Sequence, residues 1–202
     1  LIFCLSWASN KFEDVYPGKK LHHVVLVQGN IEQSLKWSPS HLLTTLKTYF
    51  NMTKAITTKD DLIVWPEAAI PAFPSQIPAF TQQLSALGQA HDTTFIVGAP
   101  TIQTQDKNIY NSLLLYGVDH GQYNKRHLVP FGEFTPLQWL FSPLGRYLNI
   151  PMSDFSSGSN NQPTLRIKGM AIAPFICYEI AFPEAVLSHV KNKDLIVVIN
   201  DD

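Results

Sequence analysis

The chain has 202 residues, a net charge of −1, and 45 % hydrophobic but only 15 % charged residues. This length supports one domain with a sizeable core rather than two, and the charged fraction is low against roughly 25 % for an ordinary soluble domain. Lys19, Lys20, Lys125, Arg126, Lys191 and Lys193 lie in pairs that fit a solvated face and form no nucleic-acid footprint.

The chain opens on LIFCLSWAS, nine uncharged residues. They are far short of the ~20 that span a bilayer and lack the basic start of a signal peptide. Two readings stand for residues 1–9: an N-terminal strand, or the end of a transmembrane helix whose earlier part precedes Leu1. Residues 10–20 read as a linker and 21–202 as the folded domain. Cys4 lies in the opening run, and with Cys177 it makes only two cysteines, too few for a disulfide framework.

LHHVVLVQ, 21–28, is a β-branched run of strand length. SHLLTTLKTYFNMTKAI spaces Leu42, Leu43, Leu46, Tyr49, Phe50 and Ile56 as a helix does, with Ser40 as its expected N-cap. DLIVWPEAA is a buried strand that Pro66 must end. A helix, FTQQLSALGQAH, and a strand, TFIVGAP, follow. NSLLLYGVDHGQYNKRHL predicts a hairpin turning between Gly117 and Gly121. TLRIKGMAIAPFICYE predicts a second strand pair with Gly169 at its turn. FPEAVLSHVKNK starts a helix near Pro183, and DLIVVIN is a last strand. Strands alternating with helices argue for a layered α/β fold, and the continuous apolar runs suit strands covered on both faces. The sequence stops at Asp202, directly after a strand, so the domain is expected to continue beyond it.

Three residues with chemistry stand where apolar strands give out: Glu67, Lys125 and Cys177. In α/β sheets such ends collect sites. Singly, each has an ordinary explanation: a strand-end carboxylate, a surface charge, an inert core thiol. Together they would supply a base, an oxyanion stabiliser and a nucleophile without histidine, metal or cofactor.

WPEAAIP, YNKRHLVPFGEF and ICYEIAFPE resemble the three catalytic segments of the carbon–nitrogen hydrolase (nitrilase) superfamily. The resemblance implies a four-layer αββα sandwich, truncated here, with Cys177 as nucleophile, Glu67 as general base and Lys125 stabilising the intermediate. Glu133 matches a second active-site glutamate, and Trp37, Tyr178 and Glu179 match supporting positions. VQGNIEQSLKW, KRHLVPFGEF and ICYE are closest in wording to the branch that acylates bacterial lipoproteins. That branch implies a fatty acyl chain moved from a phospholipid, through a cysteine thioester, to the N-terminal amine of a diacylglyceryl-cysteine. It implies a membrane partner, a place in the bacterial inner membrane and a catalytic domain facing the periplasm.

The apolar run from Phe134 to Ser153 carries a single charge, Arg146, and three prolines. Trp139, Phe141, Tyr147, Leu148 and Ile150 would be costly to expose. It reads either as an irregular segment on the core or as a membrane-facing lid. Two rivals share the chain: a soluble nitrilase-type amidase with water as acceptor, and a catalytically silent lipid- or peptide-binding module. The first leaves the two apolar runs unexplained, and the intact Glu–Lys–Cys set argues against the second.

Overall fold

The computed structural model describes residues 23–57, 62–103, 107–130, 132–134 and 155–201. The opening apolar run with Cys4, the linker, and nearly all of the run from Phe134 to Ser153 lie outside the described residues.

Five strands form the first sheet: β1 (Val24–Leu26), β2 (Leu62–Val64), β3 (Thr94–Ile102), β4 (Ile109–Gly117) and β5 (Gly121–Asn124), side by side in that order. β1, β2 and β3 run parallel, whereas β3–β4 and β4–β5 are antiparallel. The parallel pairs need crossovers. Helices α1 (Gln33–Lys36) and α2 (Leu42–Ile56) fall between β1 and β2, and α3 (Pro78–Ala90) falls between β2 and β3. The second sheet contains β6 (Arg166–Ile167), β7 (Met170–Ile176) and β8 (Leu195–Ile199), with β7 and β8 parallel around α4 (Pro183–Val190).

Because strand side chains alternate between faces, the first sheet feeds two cores. Ile63, Trp65, Phe95 and Val97 pack under α2 and α3 with Leu46, Tyr49 and Leu84. Leu62, Val64, Ile96, Leu113 and Leu115 meet Ile172, Ile176, Val197 and Ile199 of the second sheet. On the far face of β7, Phe175 takes His189 of α4 edge-on at 5.2 Å. The layers therefore run helix, sheet, sheet, helix.

The expected elements are present with adjusted bounds. β1 has three residues, and β3 continues two residues beyond Pro100. The expected cap at Ser40 does not form. His41 occupies the N-cap of α2 without a side-chain cap bond, and the Ser40 hydroxyl pairs with Ser38 Oγ at 2.9 Å. Among the described residues no helix is long and apolar enough to cross a membrane.

Trp65 anchors α2 to the sheet. Its ring stacks on Tyr49 at 5.1 Å, and its Nε1–H donates to Thr53 Oγ1 at 2.9 Å. Thr53→Val keeps the shape and leaves a buried donor unmade, so urea unfolding should show a loss of about 1–3 kcal/mol.

Candidate active site

The strand ends carrying Glu67, Lys125 and Cys177 converge. β2 stops before Pro66, and Glu67 turns across to the second sheet, where its N–H donates to the Asn200 carbonyl at 2.9 Å. Ala68 follows with φ of 51°, in the left-handed region. This turn lies directly on Gly98 of β3: a Cβ there would stand 2.5 Å from Pro66 O and 2.6 Å from Glu67 Cα. Only glycine lets β3 approach so closely.

Lys125 follows β5 and extends the ladder, its N–H donating to the Asn111 carbonyl at 2.8 Å. The side chain is 1 % exposed, and Nζ donates to Glu67 Oε1 at 3.2 Å and Glu133 Oε1 at 2.9 Å. Burial alone would push the ammonium toward neutrality, but the two carboxylates outweigh it, and the pKa lies above the ordinary lysine value. Asn111 closes the cluster. Its Nδ2 donates to Glu67 Oε1 at 2.6 Å and to Glu133 Oε1 at 2.8 Å. Glu133 is set by its own loop, with Oε2 accepting the Val129 N–H at 2.9 Å.

Cys177 begins a 3₁₀ turn, Cys177–Ala181, directly after β7, and carries a free thiol at φ of 51°. A non-glycine residue there costs about 1–3 kcal/mol, strain that is found where a side chain must be presented sharply. Burial raises the thiol pKa, and so does the Glu67 carboxylate; Lys125 and the Tyr178 N–H draw it back down. The net direction is upward, so the group rests as a thiol at neutral pH.

Glu179 is 1 % exposed, and its carboxylate is fully engaged away from the thiol. Oε1 accepts from Tyr123 Oη (2.9 Å), Arg126 N–H (2.7 Å) and His127 N–H (3.2 Å), and Oε2 from Ile176 N–H (2.8 Å). It ties the Cys177 turn to the loop after Lys125. Tyr178 is largely exposed and meets Phe182 edge-on at 4.9 Å. Trp37, 51 % exposed, lines a cavity of about 640 Å³ together with Glu67, Asn111, Glu133, Phe155 and Asp201. A second, largely apolar cavity of about 590 Å³ shares Trp37, Pro100 and Phe155 with it and is otherwise lined by residues such as Leu42, Ala72 and Phe73.

Sequence reasoning missed Asn111 and Lys36. Asn111 stands in the strand run IYNSLLLYG, where a polar residue among apolar ones was the available signal. Lys36, buried one residue before Trp37, gave none.

Two outcomes follow from this geometry. Alkylation of Cys177 by iodoacetamide should still climb between pH 7 and 9, with no plateau near pH 5. Glu67→Gln should move the profile to lower pH and Lys125→Met to higher pH, following the signs above. Gly98→Ala should displace the Glu67 turn and lower turnover by about 10²-fold, the scale of an ångström misplacement, as steady-state kinetics would measure.

The chain spans about two fifths of the length of the curated relatives it matches. It is 44 % identical over 202 residues to the apolipoprotein N-acyltransferase of Coxiella burnetii, covering 100 % of this chain and 41 % of that one. To the apolipoprotein N-acyltransferase of Photobacterium profundum it is 40 % identical, again over 100 % and 41 %. Among solved structures, the carbon-nitrogen hydrolase of Helicobacter pylori superposes with a TM-score of 0.59 at 14 % identity, over 89 % of this chain and 59 % of that one. An amidase from Nesterenkonia sp. gives 0.55 at 18 % identity, over 89 % and 64 %. At these identities the structures speak for the fold alone, and their fold is the layered one described above. The carbon-nitrogen hydrolase family model matches residues 23–202, and with sheets, strand ends and fold all in agreement, this chain belongs to the carbon-nitrogen hydrolase family.

Proposed function

We propose that this chain is the catalytic domain of an apolipoprotein N-acyltransferase. The carrying observation is the buried Lys125 ammonium donating to Glu67 Oε1 at 3.2 Å, with the Cys177 thiol close enough that the two groups shift its pKa in opposite directions. The 44 % identity to a protein of that name supports an apolipoprotein as the acceptor.

In the first half-reaction Glu67 takes the Cys177 proton as Sγ attacks the ester carbonyl of a phospholipid. The tetrahedral oxyanion lies against Lys125, the kind of electrostatic stabilisation that dominates acyl transfer. The C–O bond breaks, the leaving alkoxide recovers the proton from Glu67 as a lysophospholipid, and a thioester remains. In the second half, the α-amine of a diacylglyceryl-cysteine at an apolipoprotein's N-terminus attacks the thioester. Glu67 accepts the amine proton, the C–S bond breaks, and the thiolate is reprotonated.

Glu133 shares Lys125 with Glu67 and keeps the ammonium charged and in place. Glu179 and Tyr178 support the nucleophile's turn, and Trp37 borders both cavities, the apolar one having room for an acyl chain. No cofactor takes part in this scheme. The reaction belongs at the bacterial inner membrane, with the domain on the periplasmic side.

Full-length protein incubated with phospholipid vesicles should gain one acyl mass at Cys177, absent in Cys177→Ala. Hydrolysis of a short amide with no acyl adduct from phospholipid would favour the soluble amidase instead. Lys125→Met should slow acyl-enzyme formation by at least about 10²–10³-fold, and Lys125→Arg should not restore it, because the planar fork cannot sit between the two carboxylates as the compact ammonium does.

A further inference from the structure

Lys36 takes no part in the chemistry above, yet it is 1 % exposed and lies against the base. It ends α1. Its Nζ donates to the main-chain carbonyl of Glu67 at 3.3 Å and to the Asp201 carboxylate. From the other side, the Glu67 N–H is held by the Asn200 carbonyl at 2.9 Å. One lysine thus joins the segments that follow β1, β2 and β8.

The peptide it holds leads into Ala68, whose left-handed φ of 51° is disfavoured for a residue with a Cβ. That orientation persists only where surrounding contacts over-determine it. Gly98 supplies the space, Asn200 fixes the N–H, and Lys36 brings a charged donor to the C=O. An apolar side chain would fill the same volume without the desolvation cost of a buried ammonium, so the charge itself has a use.

We propose that Lys36 is a positioning residue. With Asp201 as its counterion, it fixes the Glu67–Ala68 peptide and thereby aims the Glu67 carboxylate at the Cys177 thiol. This rests on Glu67 acting as the base.

The test is the single-turnover rate of acyl-enzyme formation in full-length protein with phospholipid vesicles, normalised to the number of sites that acylate. Four proteins are compared: wild type, Lys36→Met, Glu67→Gln and the double variant. Lys36→Met should lose about 10²-fold in rate, with the phospholipid KM within about threefold of wild type. The double variant should be no slower than Glu67→Gln, since a misaimed base costs nothing once the base is gone. Additive slowing in the double variant, or a wild-type rate in Lys36→Met, overturns the proposal. If Lys36→Met does not fold, Asp201→Ala at the exposed end of the pair carries the test: a loss of about tenfold that vanishes in the Glu67→Gln background supports it, and a wild-type rate overturns it. A wild-type rate in Glu67→Gln alone would remove the base itself, and so is distinguishable from a failure of Lys36.

Discussion

The Lys125 ammonium, buried between the carboxylates of Glu67 and Glu133, is the constraint on which the rest of the site depends. Two carboxylates this close repel each other, and neither would be tolerated in a low-dielectric interior without a cation. One cation leaves the cluster a charge short, and Asn111 supplies neutral donors to the same two oxygens. Each member is therefore held by at least two others. The cost of burying them is offset only when all are present, and for that reason the cluster behaves as a unit.

A second polar knot serves a different end. Glu179 spends both oxygens on main-chain donors and on Tyr123, and in doing so it locks the Cys177 turn to the loop that follows Lys125. The carboxylate cluster fixes Glu67 and Lys125 relative to each other, whereas Glu179 fixes the Cys177 turn relative to Lys125. Between them the three strand ends have little freedom, as preorganised chemistry at such a site would require. Polar contacts set these positions, and the two apolar cores beneath supply the stability.

Much of this was legible in the sequence because it is local. The apolar runs gave the strands, Gly117, Gly121 and Gly169 gave the turns, and Pro66 marked where β2 had to stop. Glu67 and Cys177 could be singled out because each follows an apolar run, and Lys125 because it ends the hairpin strand GQYN in the motif YNKRHL. What was not legible is what long-range pairing decides. Asn111 reaches a carboxylate 44 residues away, and Lys36 reaches one 165 residues away, so neither partner can be read from its neighbours. The Ser40 cap failed for a different, local reason: its hydroxyl pairs with Ser38 two residues back, and the helix begins one residue later than the capping rule expects. The functional role of Glu179 was half legible, since its motif marks it as important but its sequence position suggests a group beside the thiol rather than a brace behind it.

The left-handed backbone at Cys177 has a consequence for handling the protein. A side chain at that position works against folding, and glycine is the residue that would relax there. With Cys177 as the proposed nucleophile, the thiol is kept at the expense of a sturdier fold, and a change toward heat tolerance at this position would remove the proposed chemistry. For the experimenter the same conflict is useful. On the proposed role of the thiol, Cys177→Gly gives an inactive protein that is also the more robust one, suited to holding intact substrates long enough to be seen.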